Sequence, residues 1–113
     1  MKTAATLLAL ANEQGEIRKN NWDPKVKKRC TNRIAYLLSL KPLVEEYGAP
    51  ELKAMKAKMK VQYDGMKARW DKANPGEVDQ EGNVTPPKLG AFHKETGAGK
   101  IKKQIANLNF ILS

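Results

Sequence analysis

Apolar residues recur at intervals of three and four along most of this chain, the spacing that sets one side of an α-helix against a core. In the first segment Ala4, Leu7, Leu8 and Ala11 share a stripe, with Thr3 placed as a cap and Gly15 placed to close the helix after Gln14 in the left-handed conformation. The stretch GEIRKNNW then reads as a linker. Asp23 and Pro24 supply the N-cap and first-turn residue of a second helix, in which Val26, Cys30, Ile34 and Leu37 share a side. Pro42 would break a helix interior, so this pattern either kinks over Leu38 to Lys41 or restarts with Ser39 as a new cap. Leu43, Val44 and Tyr47 carry the apolar face on as far as Gly48.

Gly48, Ala49 and Pro50 open the third and longest helix, expected over about 50 to 73, ahead of the Asn74, Pro75, Gly76 turn. At about 1.5 Å per residue it spans roughly 35 Å. Its Leu52, Met55, Met59, Tyr63, Met66 and Trp70 fall in one arc that needs cover. Residues 75 to 100 hold most of the Gly and Pro, including Pro86 and Pro87, and no helical periodicity, so they read as a long loop. Within it Val78 and Val84 bracket the turn-like QEGN as the arms of a small hairpin, and Val84, Leu89 and Phe92 are the sizeable apolar anchors. The closing IKKQIANLNFILS repeats Ile101, Ile105, Leu108 and Leu112 at helical spacing. The expected fold is all-α: one small helical domain over residues 1 to 113, of four to five helices, with one long helix (about 50–73) and a long Gly/Pro-rich loop (75–100).

A hydrophobic content of 41% with few aromatics supports a folded helical domain over a disordered tail. A net charge of +9 and a pI near 9.7 exceed what solubility needs and favour a polyanion as partner: nucleic acid, an anionic membrane or an acidic protein. The single Cys30 lies on the apolar side of its helix, which excludes an internal disulfide and makes a reduced compartment, most simply the cytoplasm, the expectation. The run TAATLLALA is too short for a signal peptide and is interrupted by Asn12 and Glu13, so it reads as the first helix. No segment approaches the roughly 20 apolar residues a bilayer span requires. A soluble protein without membrane contact is expected, since the basic helix also lacks Trp, Phe and Leu along its polar boundary.

The charge is concentrated. Residues Arg18 to Arg33, RKNNWDPKVKKRCTNR, hold seven basic side chains against the single acid Asp23. On the second helix Lys25, Lys28, Arg29, Asn32, Arg33 and Tyr36 share one side, so amide and phenol groups interleave with cations, a mixture that can hold phosphates and touch bases. Arg18 and the helix cations lack the acidic i+4 partners of an ordinary solubilising surface, and Lys19 has at that spacing only Asp23, the N-cap. Trp22 beside them can stack on a base, although a Trp just before an N-cap reads first as a hydrophobic staple. On the third helix Lys53, Lys56, Lys60 and Lys67 form a second basic row that extends the phosphate footprint, while Lys58, Arg69 and Lys72 are interleaved with Glu51 and Asp71. Met55, Met59 and Met66 read as core before they read as an adaptable protein-binding groove.

Chemistry beyond binding finds little footing. His93 and Cys30 have no activating neighbour in sequence, and no set of metal ligands or cofactor site is evident. Glu77, Asp79 and Glu81 lack the spacing of a calcium loop. The run ETGAGK misses the first Gly and the final Ser or Thr of a phosphate-binding loop, leaving Gly97 and Gly99 beside Lys100 as a weak anion site at a helix start. The expectation is therefore a small basic non-enzymatic nucleic-acid-binding protein that contacts the DNA or RNA backbone through the basic face of residues 18 to 36. The alternative is a protein-interaction module, an inhibitor, adaptor or assembly component docking on a larger acidic partner; small basic helical proteins serve hosts, plasmids and viruses alike.

Overall fold

The computed structural model describes residues 1–85 and 89–113; the Pro86 and Pro87 of the expected loop lie outside the described residues. The chain is all-α apart from one small hairpin: α1 (Ala4–Lys19), α2 (Pro24–Ser39), α3 (Lys41–Glu46), α4 (Ala49–Ala73), β1 (Glu77–Val78), β2 (Val84–Thr85), α5 (Leu89–Thr96) and α6 (Ala98–Leu112).

α1 begins where its cap predicts, with Thr3 Oγ1 accepting the Thr6 N–H at 3.2 Å. It does not end at Gly15. The helix continues to Lys19 and closes with the Asn20 N–H on the Glu16 carbonyl at 3.0 Å. Glycine in a helix interior costs about 1 kcal/mol relative to alanine. The further turn outweighs that cost, because it adds backbone hydrogen bonds and sets Arg18 and Lys19 at the negative end of the helix dipole. The expected linker thus shrinks to residues 20–22. α2 starts as the Asp-Pro pair dictates, Asp23 Oδ1 accepting the Lys25 N–H at 2.9 Å and Pro24 filling the first turn. At Pro42 the chain restarts rather than kinks, but Leu40 is the N-cap of α3; the Ser39 hydroxyl instead donates back to the Tyr36 carbonyl. α4 has 25 residues and the predicted extent.

Two compact units divide the chain. One comprises Met1–Leu52 with Phe110–Ser113, the other Lys53–Asn109. In the first unit α1 packs on α2, and Leu7, Ala11, Cys30, Leu37, Leu40, Leu52 and Ile111 are buried. The Lys2 N–H donates to the Ile111 carbonyl at 2.7 Å, and Lys2 Nζ donates to the Phe110 carbonyl and to Ser113 Oγ, both at 2.8 Å. Leu8, expected on the inward stripe of α1, is exposed.

The second unit corrects the long loop. Its first part is the hairpin, β1 and β2 pairing antiparallel with Val78 opposite Val84. Asp79 organises the turn: its carboxylate accepts the N–H groups of Glu81 and Asn83, each at 2.9 Å, and Gly82 takes φ +84°, open to glycine without strain. The last part is a helix, α5, in place of loop. Of the three expected anchors only Phe92 is buried, while Val84 and Leu89 are exposed. Tyr63 and Trp70 of α4 surround the Phe92 ring at centroid distances of 5.6 and 5.9 Å, which holds an eight-residue helix too short to form unaided.

Candidate nucleic-acid interface

α2 separates its residues cleanly. Cys30 and Leu37 are buried and Val26 and Ile34 half-buried, whereas Lys25, Lys28, Arg29, Asn32 and Arg33 are exposed and Tyr36 is half-buried. The two ion pairs among the described residues are Lys41 with Glu45 and Lys67 with Asp71, so none of the cations on α2 is neutralised by a salt bridge. The one acid of the segment, Asp23, caps the helix. Cations left without counter-charges on a helix can neutralise the phosphates of a nucleic acid and release the cations condensed on it.

The end of α1 adds further cations in the same unit. Arg18 and Lys19, carried outward by the extra turn of α1, line an open cleft of about 330 Å³ with Gly15 and Lys27. Lys27 is a cation that the spacing on α2 alone leaves out, because it falls on the side away from the basic face, next to Ile34; the packing of α1 against α2 brings it to Arg18 and Lys19. Gly15 also contributes space, since nothing lies within 4 Å of where its Cβ would be.

Trp22 is the larger correction. It is 87% exposed and is no staple. A staple joins the residue before the N-cap to an apolar residue at the fourth helical position, and here that position is Lys27. The indole therefore stands in solvent in the short connection between the Arg18–Lys19 end of α1 and the Lys25 start of α2.

At the other end of the α2 face the cations meet aromatic rings. The Arg33 guanidinium lies 5.1 Å from the Tyr36 ring centre and 5.2 Å from that of Phe110, the two rings being 6.0 Å apart, and Lys2 Nζ sits 4.3 Å over Phe110. These contacts hold Arg33 in place while leaving it exposed.

The Lys row of α4 belongs to the second unit and is less uniform than its spacing implies. Lys53 and Lys60 are exposed and Lys56 is half-buried. Lys67 departs from the row: it pairs with Asp71 at 2.5 Å and lies 5.4 Å over the Phe92 ring. The i to i+4 spacing brings Asp71 to Lys67 rather than leaving it with Lys58, Arg69 and Lys72. The Met stripe beside the row, Met55, Met59 and Met66, is half-buried.

Other candidate groups are engaged within the fold. His93 has a partner that sequence adjacency concealed: its Nε2 is 2.9 Å from the Tyr63 hydroxyl, and its ring packs on Phe92 and against the backbone at Gly99. At the start of α6 the Ala98 N–H is taken by Thr96 Oγ1 and the Lys100 N–H by the Gly97 carbonyl, so the amides on either side of Gly99 are used within the helix junction. Among the described residues no helix is long and apolar enough to cross a membrane. No protein-family model, no curated protein and no solved structure matches the chain.

Proposed function

We propose that this chain is a small non-enzymatic nucleic-acid-binding protein whose phosphate contacts are made by the unit of residues 1–52 and 110–113. One observation carries the reading: Lys25, Lys28, Arg29 and Arg33 are exposed on one side of α2 without an ion pair among the described residues, and the same unit holds a cleft lined by Arg18, Lys19 and Lys27. Asn32 and Tyr36 supply the polar and aromatic groups between the cations. Lys53, Lys56 and Lys60 of α4 are secondary contacts in this reading, and Lys67 contributes least because its charge is already shared with Asp71.

Binding of this kind draws most of its free energy from counterion release, so log affinity falls linearly with log salt, by about 0.7 to 0.9 per phosphate contacted. The test is a salt series on mixed-sequence nucleic acid for the wild type and for K25E/K28E/R29E. Loss of binding by a folded triple variant supports the reading, and unchanged binding overturns it. An acidic protein is the second reading, favoured by the same unpaired cations. It is distinguished by capture from nuclease-treated lysate with no shift of nucleic acid in a gel.

A further inference from the structure

The solvent-exposed indole of Trp22 has no function in the fold. It is 87% exposed although tryptophan carries one of the largest apolar surfaces of any side chain, and the neighbour that would cover it as a staple is Lys27. Its backbone is nevertheless fixed on both sides. The Asn21 N–H donates to the Arg18 carbonyl at 3.3 Å, Asn21 Oδ1 accepts the Asp23 N–H at 3.1 Å, and Asp23 Oδ1 accepts the Lys25 N–H at 2.9 Å. A large planar ring is thus presented to solvent from an ordered turn, with Arg18 and Lys19 four and three residues before it, Lys25 three residues after it, and Lys28 and Arg29 one turn further along α2.

We infer that the substrate class is single-stranded nucleic acid, with Trp22 as a stacking platform for an unpaired base while the flanking cations track the phosphates. This rests on the nucleic-acid reading above and narrows it. In a duplex the faces of the bases are covered by their neighbours, so an indole gains a base face only by breaking a stack. In a single strand every base offers a free π-face, and base–aromatic stacking adds to backbone attraction without regard to sequence. A platform between two sets of cations matches a strand whose bases and phosphates alternate along its length.

Three probes of equal length, about 20 nucleotides, separate the contributions: oligothymidylate, the same strand made abasic, and a duplex. At fixed salt the wild type binds oligothymidylate more tightly than either control. W22A weakens oligothymidylate roughly ten- to hundredfold and changes the abasic strand and the duplex by no more than about twofold, whereas W22F keeps most of the affinity. In a W70F background, where Trp22 is the remaining indole, fluorescence is quenched by oligothymidylate and not by the abasic strand. Equal binding of all three probes by wild type and W22A overturns the stacking role and leaves the polyanion reading standing. So does an equal loss by W22A on all three. Tighter binding of the duplex overturns the single-strand assignment, and binding to none of the probes overturns both readings.

Discussion

α2 and α4 are both amphipathic and lysine-rich, yet they are anchored differently. α2, with 16 residues, buries Cys30 and Leu37 and keeps its cations in solvent without ion pairs. α4, with 25 residues, buries Leu52 alone; its Met55, Met59, Tyr63, Met66 and Trp70 are half-buried and Val61 is 73% exposed. Length does not anchor a helix. What holds α2 is a narrow face with two buried anchors, Cys30 and Leu37, and a strong cap, whereas α4 leans on residues that favour helix wherever they stand, including six lysines, five alanines and three methionines. A surface that must present charges in a fixed array is better built on the first kind of helix. The preorganised array then loses less entropy on binding.

This contrast breaks most directly under charge reversal. K25E/K28E/R29E on α2 should lower affinity for nucleic acid by on the order of a thousandfold at low salt with an unchanged circular dichroism spectrum, and K53E/K56E/K60E on α4 by much less. Equal losses would show that both helices bind. The next largest effect concerns burial. Leu37 is 1% exposed, so Leu37→Ala should cost about 2–5 kcal/mol in denaturant unfolding, against about 1 kcal/mol or less for Met59→Ala on its half-buried stripe. A Met59→Ala cost as large as that of Leu37→Ala would mean that the α4 stripe is as firmly covered as the core of α2. Asp23→Ala removes the cap of α2 and should cost about 1 kcal/mol, read as a shift of the urea midpoint at constant slope. The smallest effect belongs to the exposed Lys67–Asp71 pair. Asp71→Ala should change stability by about 0.5 kcal/mol or less, and added salt should erase the difference.

The helical class, the start of α2 at Asp23 and Pro24 and the extent of α4 were legible from the sequence because each rests on local chemistry: a cap, a restricted φ, a periodicity. α5 was hidden. Its eight residues are too few to show a period, and its stability comes from Phe92 meeting Tyr63 and Trp70, which lie far away in sequence. Gly15 misled because glycine marks the end of a helix only where a left-handed residue is required, and the helix ran through it. Within the candidate site, the cations of α2 were readable from spacing alone. Lys27 joined Arg18 and Lys19 only through the packing of α1 on α2. Trp22 could have been placed correctly, since a lysine at the fourth position of α2 already denies it a staple partner.

The chain carries one thiol, Cys30, and it is 3% exposed within the core of the first unit. A buried thiol is shielded from alkylating reagents and reacts only when the helices around it part. Cys30 is therefore a built-in clock for the breathing of this unit: the rate at which it is modified reports how often α1 and α2 separate, without any added label. A ligand that bridges the two helices across the Arg18, Lys19 and Lys27 cleft would slow that clock, whether or not it changes anything a spectrum records.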